Sequence, residues 1–149
     1  MARTYRLGAA RRIVNWIVHG LLVAGLGPAR TYLLITRGRR TGRLYRTPVT
    51  LVEEAPQRWL VAPYGEVGWV KNARAAGRVA LRRGRRTEEF RVVELEPPER
   101  APILQRYVRE VPITRPFFDA APEAALDAFS AEATGHPVFE LIRDGGDTR

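Results

Sequence analysis

Turn-forming residues cut residues 31–95 into short alternating runs at hairpin spacing, which restricts this stretch to antiparallel β structure with brief helical insertions. Thr31–Thr36 reads as a strand, Arg37–Gly42 as a glycine-bearing turn and Leu44–Glu53 as a second strand. Glu54–Gln57 is a hairpin turn before a third strand at Trp59–Tyr64. A loop, Gly65–Gly68, leads into a short helix over Trp69–Ala76, which Gly77 stops. The runs Arg78–Arg82 and Thr87–Leu95 flank a turn at Gly84 and form another hairpin.

The remainder is more helical. Pro97 and Pro98 suit the first turn of a helix reaching about Arg109. A loop with Pro112 and Pro116 follows, then a short helix opened by Pro122 and running to Ala131. Pro137–Arg143 is a sixth strand. Six alternating strands with peripheral helices close most simply as a small antiparallel barrel. The expected class is α+β, mainly β, in one domain spanning 1–149, with the barrel at 31–143 and a polar, frayed tail at 144–149.

Residues 1–28 require a separate argument. Arg3, Arg6, Arg11 and Arg12 precede an apolar run from Ile13 to Leu26, a pattern resembling a secretory signal. However, Asn15 and His19 lie four apart on one helix face, and Ile13, Trp16, Ile17, Gly20, Leu21 and Ala24 form a stripe on another. The run is also short for a span, which takes about 20 residues. The pattern therefore predicts an amphipathic helix, packed on the domain in preference to a membrane surface. The expected location is cytoplasmic, with this helix as the route to membrane association.

The 149 residues carry a net charge of +9 and no cysteine, which excludes disulfides, thiolate metal sites and cysteine nucleophiles. His19 and His136 are the only histidines, so no metal site is expected. Lys71 is the lone lysine among 25 basic residues. The charge is unevenly placed: residues 1–50 hold ten arginines and no acid, whereas residues 92–149 are net acidic. Such a field attracts anionic ligands. Nucleic acid is disfavoured, because aromatic residues do not interleave the basic turn as single-strand platforms require.

The segment Arg37-Gly-Arg-Arg-Thr-Gly-Arg-Leu-Tyr-Arg46 concentrates that field. Its glycines permit a tight turn with exposed N–H groups, which form a nest for an anion. Arg39, Arg40 and Arg46 can add charge-assisted bonds to phosphate, and the Thr41 hydroxyl one more. The competing reading is a basic hairpin facing water. The Gly-Lys-Ser/Thr ending of a Walker loop is missing.

The stretch TYLLITRGRRTGRLYRTPVTLV resembles the deazaflavin (coenzyme F420)-dependent nitroreductase family. The matching residues are Gly38, Arg39, Arg40, Thr41, Gly42 and Pro48, then Trp69 and Asn72, with Ala73 in place of the usual Leu. The resemblance extends from about Tyr32 to Leu141. It implies a split β-barrel related to FMN-binding reductases. It also implies that the arginine turn holds the cofactor phosphate and that the ring lies near Pro48, Val49, Thr50 and Trp69. The activity implied is hydride transfer from reduced deazaflavin to a quinone, enone or nitro acceptor. Tyr64, Tyr107 and Tyr45 are the candidate proton or hydrogen-bond donors, with Tyr64 also beside the cofactor. A homodimer follows by analogy with this barrel type.

Two departures bear on the acceptor. The loop Pro63–Gly68 is short, with Pro63 and Tyr64 where some members carry serine and lysine. In the stretch 107–118, where nitro-reducing members often place tyrosines, this chain has Thr114, Arg115, Pro116, Phe117 and Phe118. These residues form either an apolar pocket wall with one arginine or simply core. The alternatives to an F420-dependent enzyme are an FMN-dependent reductase on the same barrel and a non-catalytic deazaflavin- or lipid-binding protein.

Overall fold

The computed structural model describes residues 30–143. The helix expected at 1–28 and the tail at 144–149 lie outside them. Six strands form a closed barrel: β1 (Thr31–Arg37), β2 (Leu44–Glu54), β3 (Gln57–Val61), β4 (Arg78–Arg83), β5 (Arg86–Glu94) and β6 (Val138–Arg143). Around the barrel they run β1-β2-β3-β6-β5-β4, and every neighbouring pair is antiparallel. Among the described residues, three α-helices accompany them: α1 (Gly68–Ala76), α2 (Pro97–Glu110) and α3 (Leu126–Glu132). Among the described residues, no helix is long and apolar enough to cross a membrane.

The two-residue period of the strands produces two cores. On β3, Leu60 faces inward with Leu34, Leu51, Leu81, Phe90 and Phe139, while α1 adds Trp69, Val70 and Ala73 to the same core. The intervening Trp59 and Val61 face outward, where α2 covers them with Leu104, Tyr107 and Val108, and α3 with Phe129. Phe90, Phe129 and Phe139 are almost wholly buried, each worth roughly 2–3 kcal/mol of transfer free energy.

Local chemistry sets the helix ends. Glu96 and Glu99 form a reciprocal capping box at the start of α2, where Pro97 and Pro98 replace donors that would otherwise lack partners. Gly77 ends α1 in the left-handed region at φ 71, donating its N–H to the Ala73 carbonyl.

Several boundaries differ from the sequence expectation. β3 ends at Val61, not Tyr64. Ala62 still donates to the Pro137 carbonyl at 2.9 Å, after which the chain leaves the sheet. Residues Pro112–Phe117 form a 3-10 helix where a loop was expected. Pro122 opens no helix: α3 begins at Leu126, after extended Ala125, and the Pro122 carbonyl accepts a bond from Arg109 Nε at 2.8 Å. His136, expected at a strand edge, is buried and stacks on Phe118 at 4.1 Å.

Candidate active site

The arginine turn is a structured cradle. Gly38 N–H donates to the Arg43 carbonyl at 2.6 Å, and Gly42 N–H to the Gly38 carbonyl at 2.9 Å. Thr41 Oγ1 accepts from Arg43 N–H at 3.3 Å. Gly42 sits at φ 76, a region that strains any residue bearing a Cβ. A Cβ on Gly38 would lie 2.7 Å from the exposed Tyr45 ring, so any larger residue there must displace Tyr45.

A second element fixes the cradle. Asn72, on α1 and buried, accepts from the Arg39 backbone N–H at 3.2 Å and from Arg39 Nη1 at 2.8 Å. The turn is thereby stapled to the helix, and Arg39 keeps Nε and Nη2 for another acceptor. Arg40 and Arg46 are exposed, and among the described residues neither is engaged by a protein partner.

Beside the cradle lies a cavity of about 780 Å³. Arg39, Arg40, Thr41 and Arg46 line one part of it, and Pro48, Val49 and Thr50 of β2 form a wall. Tyr64, Trp69, Asn72 and Tyr107 also reach it. Of the expected cofactor residues, Gly42 does not line the cavity; its contribution is the backbone turn. Among the described residues, no aspartate or glutamate lines the cavity, so these do not neutralise the three arginines that reach it.

The tyrosines differ in environment. Tyr45 is 46% exposed. Tyr64 is half-buried, with its ring meeting Phe117 edge-on at 4.7 Å. Tyr107 is 3% exposed. Burial pushes its hydroxyl well above the usual tyrosine range, proximity to Tyr64 adds to this, and a hydrogen bond with Thr114 works in the opposite direction. Tyr107 therefore keeps its proton at any ordinary pH.

Of the two readings left open for residues 114–118, pocket wall or core, both phenylalanines take the core one. Phe118 belongs to the core beneath α2, and Phe117 is buried against Tyr64; neither lines the cavity. Arg115 turns back to the end of α2, donating to the Val108 carbonyl at 2.9 Å and the Arg109 carbonyl at 3.0 Å. The 3-10 helix presents Ile113 and Thr114 instead.

Sequence reasoning missed Val111, Ile113 and Thr31 as lining residues. Val111 falls four positions after Tyr107, so helical spacing places them on one face. Thr31 pairs with Thr50 across the first hairpin, with their hydroxyls 3.1 Å apart, a register that the turn length sets. Ile113 carried no such signal. Among the described residues, no group of three or more histidines or acids is placed to hold a metal.

The family described as F420H(2)-dependent quinone reductase matches residues 12–115. No curated protein matches the chain. Among solved structures, a protein of unknown function from Agrobacterium tumefaciens is similar at a TM-score of 0.59 and 15% identity, over 97% of this chain; this chain spans 60% of that protein's length. A chain described as a domain-swapped dimer aligns at a TM-score of 0.56 and 20% identity, over 89% of this chain and 92% of its own. An F420-H2 dependent reductase aligns at a TM-score of 0.52 and 22% identity, over 76% and 94% respectively. At these identities the likeness establishes the shared split-barrel fold.

Proposed function

Because the chain belongs to the F420H2-dependent quinone reductase family, we propose that its cavity holds the reduced deazaflavin and that it reduces a quinone-class acceptor. The observation that carries this reading is the composition of the cavity: among the described residues, three arginines and no acid surround a largely apolar slot. A phosphate with a flat ring attached suits such a site. Thr41 and the turn offer donors for phosphate oxygens, and Arg40 and Arg46 have no competing protein partner among the described residues.

When bound, reduced deazaflavin supplies a hydride, and a quinone takes that hydride and one proton to become the hydroquinone. The chain's own residues perform the remaining tasks. Arg39, Arg40, Arg46 and Thr41 anchor the phosphate. Pro48, Val49, Thr50 and Trp69 flank the ring and exclude water from one side.

Tyr45, Tyr64 and Tyr107 are the lining side chains that combine a dissociable proton with no fixed charge. Tyr107, held neutral by burial, donates a hydrogen bond to the oxygen on which negative charge builds. The half-buried Tyr64 would give its hydroxyl proton to that oxygen and regain one from solvent. A homodimer, by likeness to the domain-swapped neighbour, is part of the same proposal and is tested by sedimentation.

Fluorescence titration with oxidised F420, with FMN titrated in parallel, tests the cofactor assignment. Turnover of F420H2 with menadione, an enone and a nitroaromatic then ranks the acceptors. Tight F420 binding and fastest reduction of menadione are expected. Binding of FMN in preference to F420 would overturn the assignment.

A further inference from the structure

The loop at residues 62–67 walls the cavity with Pro63, Tyr64 and Val67. Its internal backbone bonds are few: Gly65 N–H to the Ala62 carbonyl at 3.3 Å and Val67 N–H to the Gly65 carbonyl at 2.8 Å. Gly65 takes a left-handed φ of 85. Ala62 is buried, Val67 packs against the inner core and Tyr64 meets Phe117, while Glu66, between them, is exposed and is held by charge instead.

Arg74 of α1 donates Nη1 to Glu66 Oε1 at 2.8 Å and Nη2 to Glu66 Oε2 at 3.0 Å, a two-pronged grip. The same guanidinium gives Nε to Glu94 Oε1 at 2.8 Å and Nη2 to Glu94 Oε2 at 2.8 Å.

Glu94 is itself bonded by Arg100 Nη2 at 3.2 Å. Arg100 is buried and fixed by the Leu95 carbonyl at 2.9 Å and the Ala133 carbonyl at 2.9 Å. A rigid post at the α2 end thus reaches the cavity loop through Glu94, Arg74 and Glu66. Hydrogen bonding from Arg74 holds the Glu66 carboxyl below the usual range.

We infer that Arg74 is a positioning residue for acceptor reduction, acting through Glu66 to hold the Tyr64 loop in its productive place. Partly exposed ion pairs add little to global stability, so the effect of this one is local. Its geometry also demands arginine: one planar fork serves two carboxylates at once, whereas an ammonium is a point donor. The inference rests on reading this cavity as the deazaflavin and acceptor site. The phosphate cradle is held separately, by Asn72, so cofactor affinity and loop position are separable.

The test compares Arg74→Gln, Glu66→Gln, the double variant and Arg74→Lys in the full chain. Oxidised F420 titration, menadione turnover and hydrogen exchange of the cofactor-free protein are measured. Each single variant is expected to lower kcat by about five- to tenfold and to leave the F420 Kd within about twofold. The double variant should be no worse than either single one, because both remove one unit. Arg74→Lys should not restore kcat. Amides at 62–67 should exchange faster in Arg74→Gln while the barrel strands keep their protection.

Unchanged exchange at 62–67 would overturn the inference whatever the cofactor proves to be. So would wild-type kcat in both single variants, losses that multiply in the double variant, or a fall in F420 affinity that matches the fall in rate. Wild-type protein that binds no F420 would instead defeat the cavity reading. If Arg74→Gln fails to fold, Glu66→Gln, which leaves Arg74 joined to Glu94, carries the same test.

Discussion

Asn72 Oδ1 accepts two hydrogen bonds from Arg39, one from its backbone N–H at 3.2 Å and one from its guanidinium Nη1 at 2.8 Å. A side chain on a helix thereby sets both the turn conformation and the arginine's direction. Asn72→Ala is expected to weaken F420 binding by about tenfold or more, through the loss of one charge-assisted and one backbone bond that organise the turn. Asn72→Asp keeps an acceptor for Arg39 but brings a negative charge to the cradle, so it should bind F420 still more weakly. Fluorescence titration checks both, and wild-type affinity in Asn72→Ala would remove the bracing role.

Arg40 and Arg46 face the cavity without a protein partner among the described residues. Replacing either with alanine should weaken F420 binding roughly tenfold at low salt and flatten the dependence of Kd on ionic strength. An unchanged salt slope would mean that the replaced arginine faces water and not the ligand.

The cradle's glycines make distinct demands. Gly38→Ala places a methyl 2.7 Å from the Tyr45 ring, so it should displace Tyr45 and reduce F420 affinity. Gly42→Ala should destabilise the fold by about 1–2 kcal/mol, because its φ of 76 is unfavourable to a Cβ. Gly135→Ala, where a Cβ meets open space, is the neutral control. Thermal melts and titrations of the three variants separate these effects.

Tyr107 gives a pH prediction with a definite sign. Its folded pKa lies above the ordinary value of about 10. Above that pH the unfolded chain releases the proton while the folded one retains it, so the unfolded state binds fewer protons and stability falls as pH rises. Tyr107→Phe should show a shallower alkaline loss of stability in urea melts at pH 9–11, and slower acceptor reduction at pH 7. Identical alkaline slopes for the two proteins would show that the buried hydroxyl titrates normally.

Much of the architecture was legible in local pattern. The hairpin turns, the proline starts and the alternating runs placed six strands and the helix at Gly68–Ala76 within a few residues of their observed bounds. The misreadings arose where local signals conflict with long-range pairing. Tyr64 looked like strand by composition, but β6 offers β3 partners only to Val61 in the ladder. Pro122 resembled a helix start, yet it sits in a turn closed by Ala124 N–H on the Ala121 carbonyl at 3.0 Å, and the helix begins only at Leu126. The aromatic pair Phe117 and Phe118 could not be assigned to core or cavity, because a 3-10 turn has three residues per cycle and its orientation depends on what it packs against.

The sequence by itself determined the tight basic turn at 37–46, through glycines that permit it and arginines that charge it, and the antiparallel class, through hairpin spacing. Tertiary structure alone decided which distant residues share the site. Asn72 meets Arg39 because α1 packs beside β1, Tyr107 and Tyr64 line one cavity because α2 covers the outer face of β3, and Arg74 reaches Glu66 and Glu94 because both approach one face of α1. Local spacing encodes periodicity and turn chemistry, whereas these meetings depend on ring closure of the barrel, where β6 joins β3 to β5.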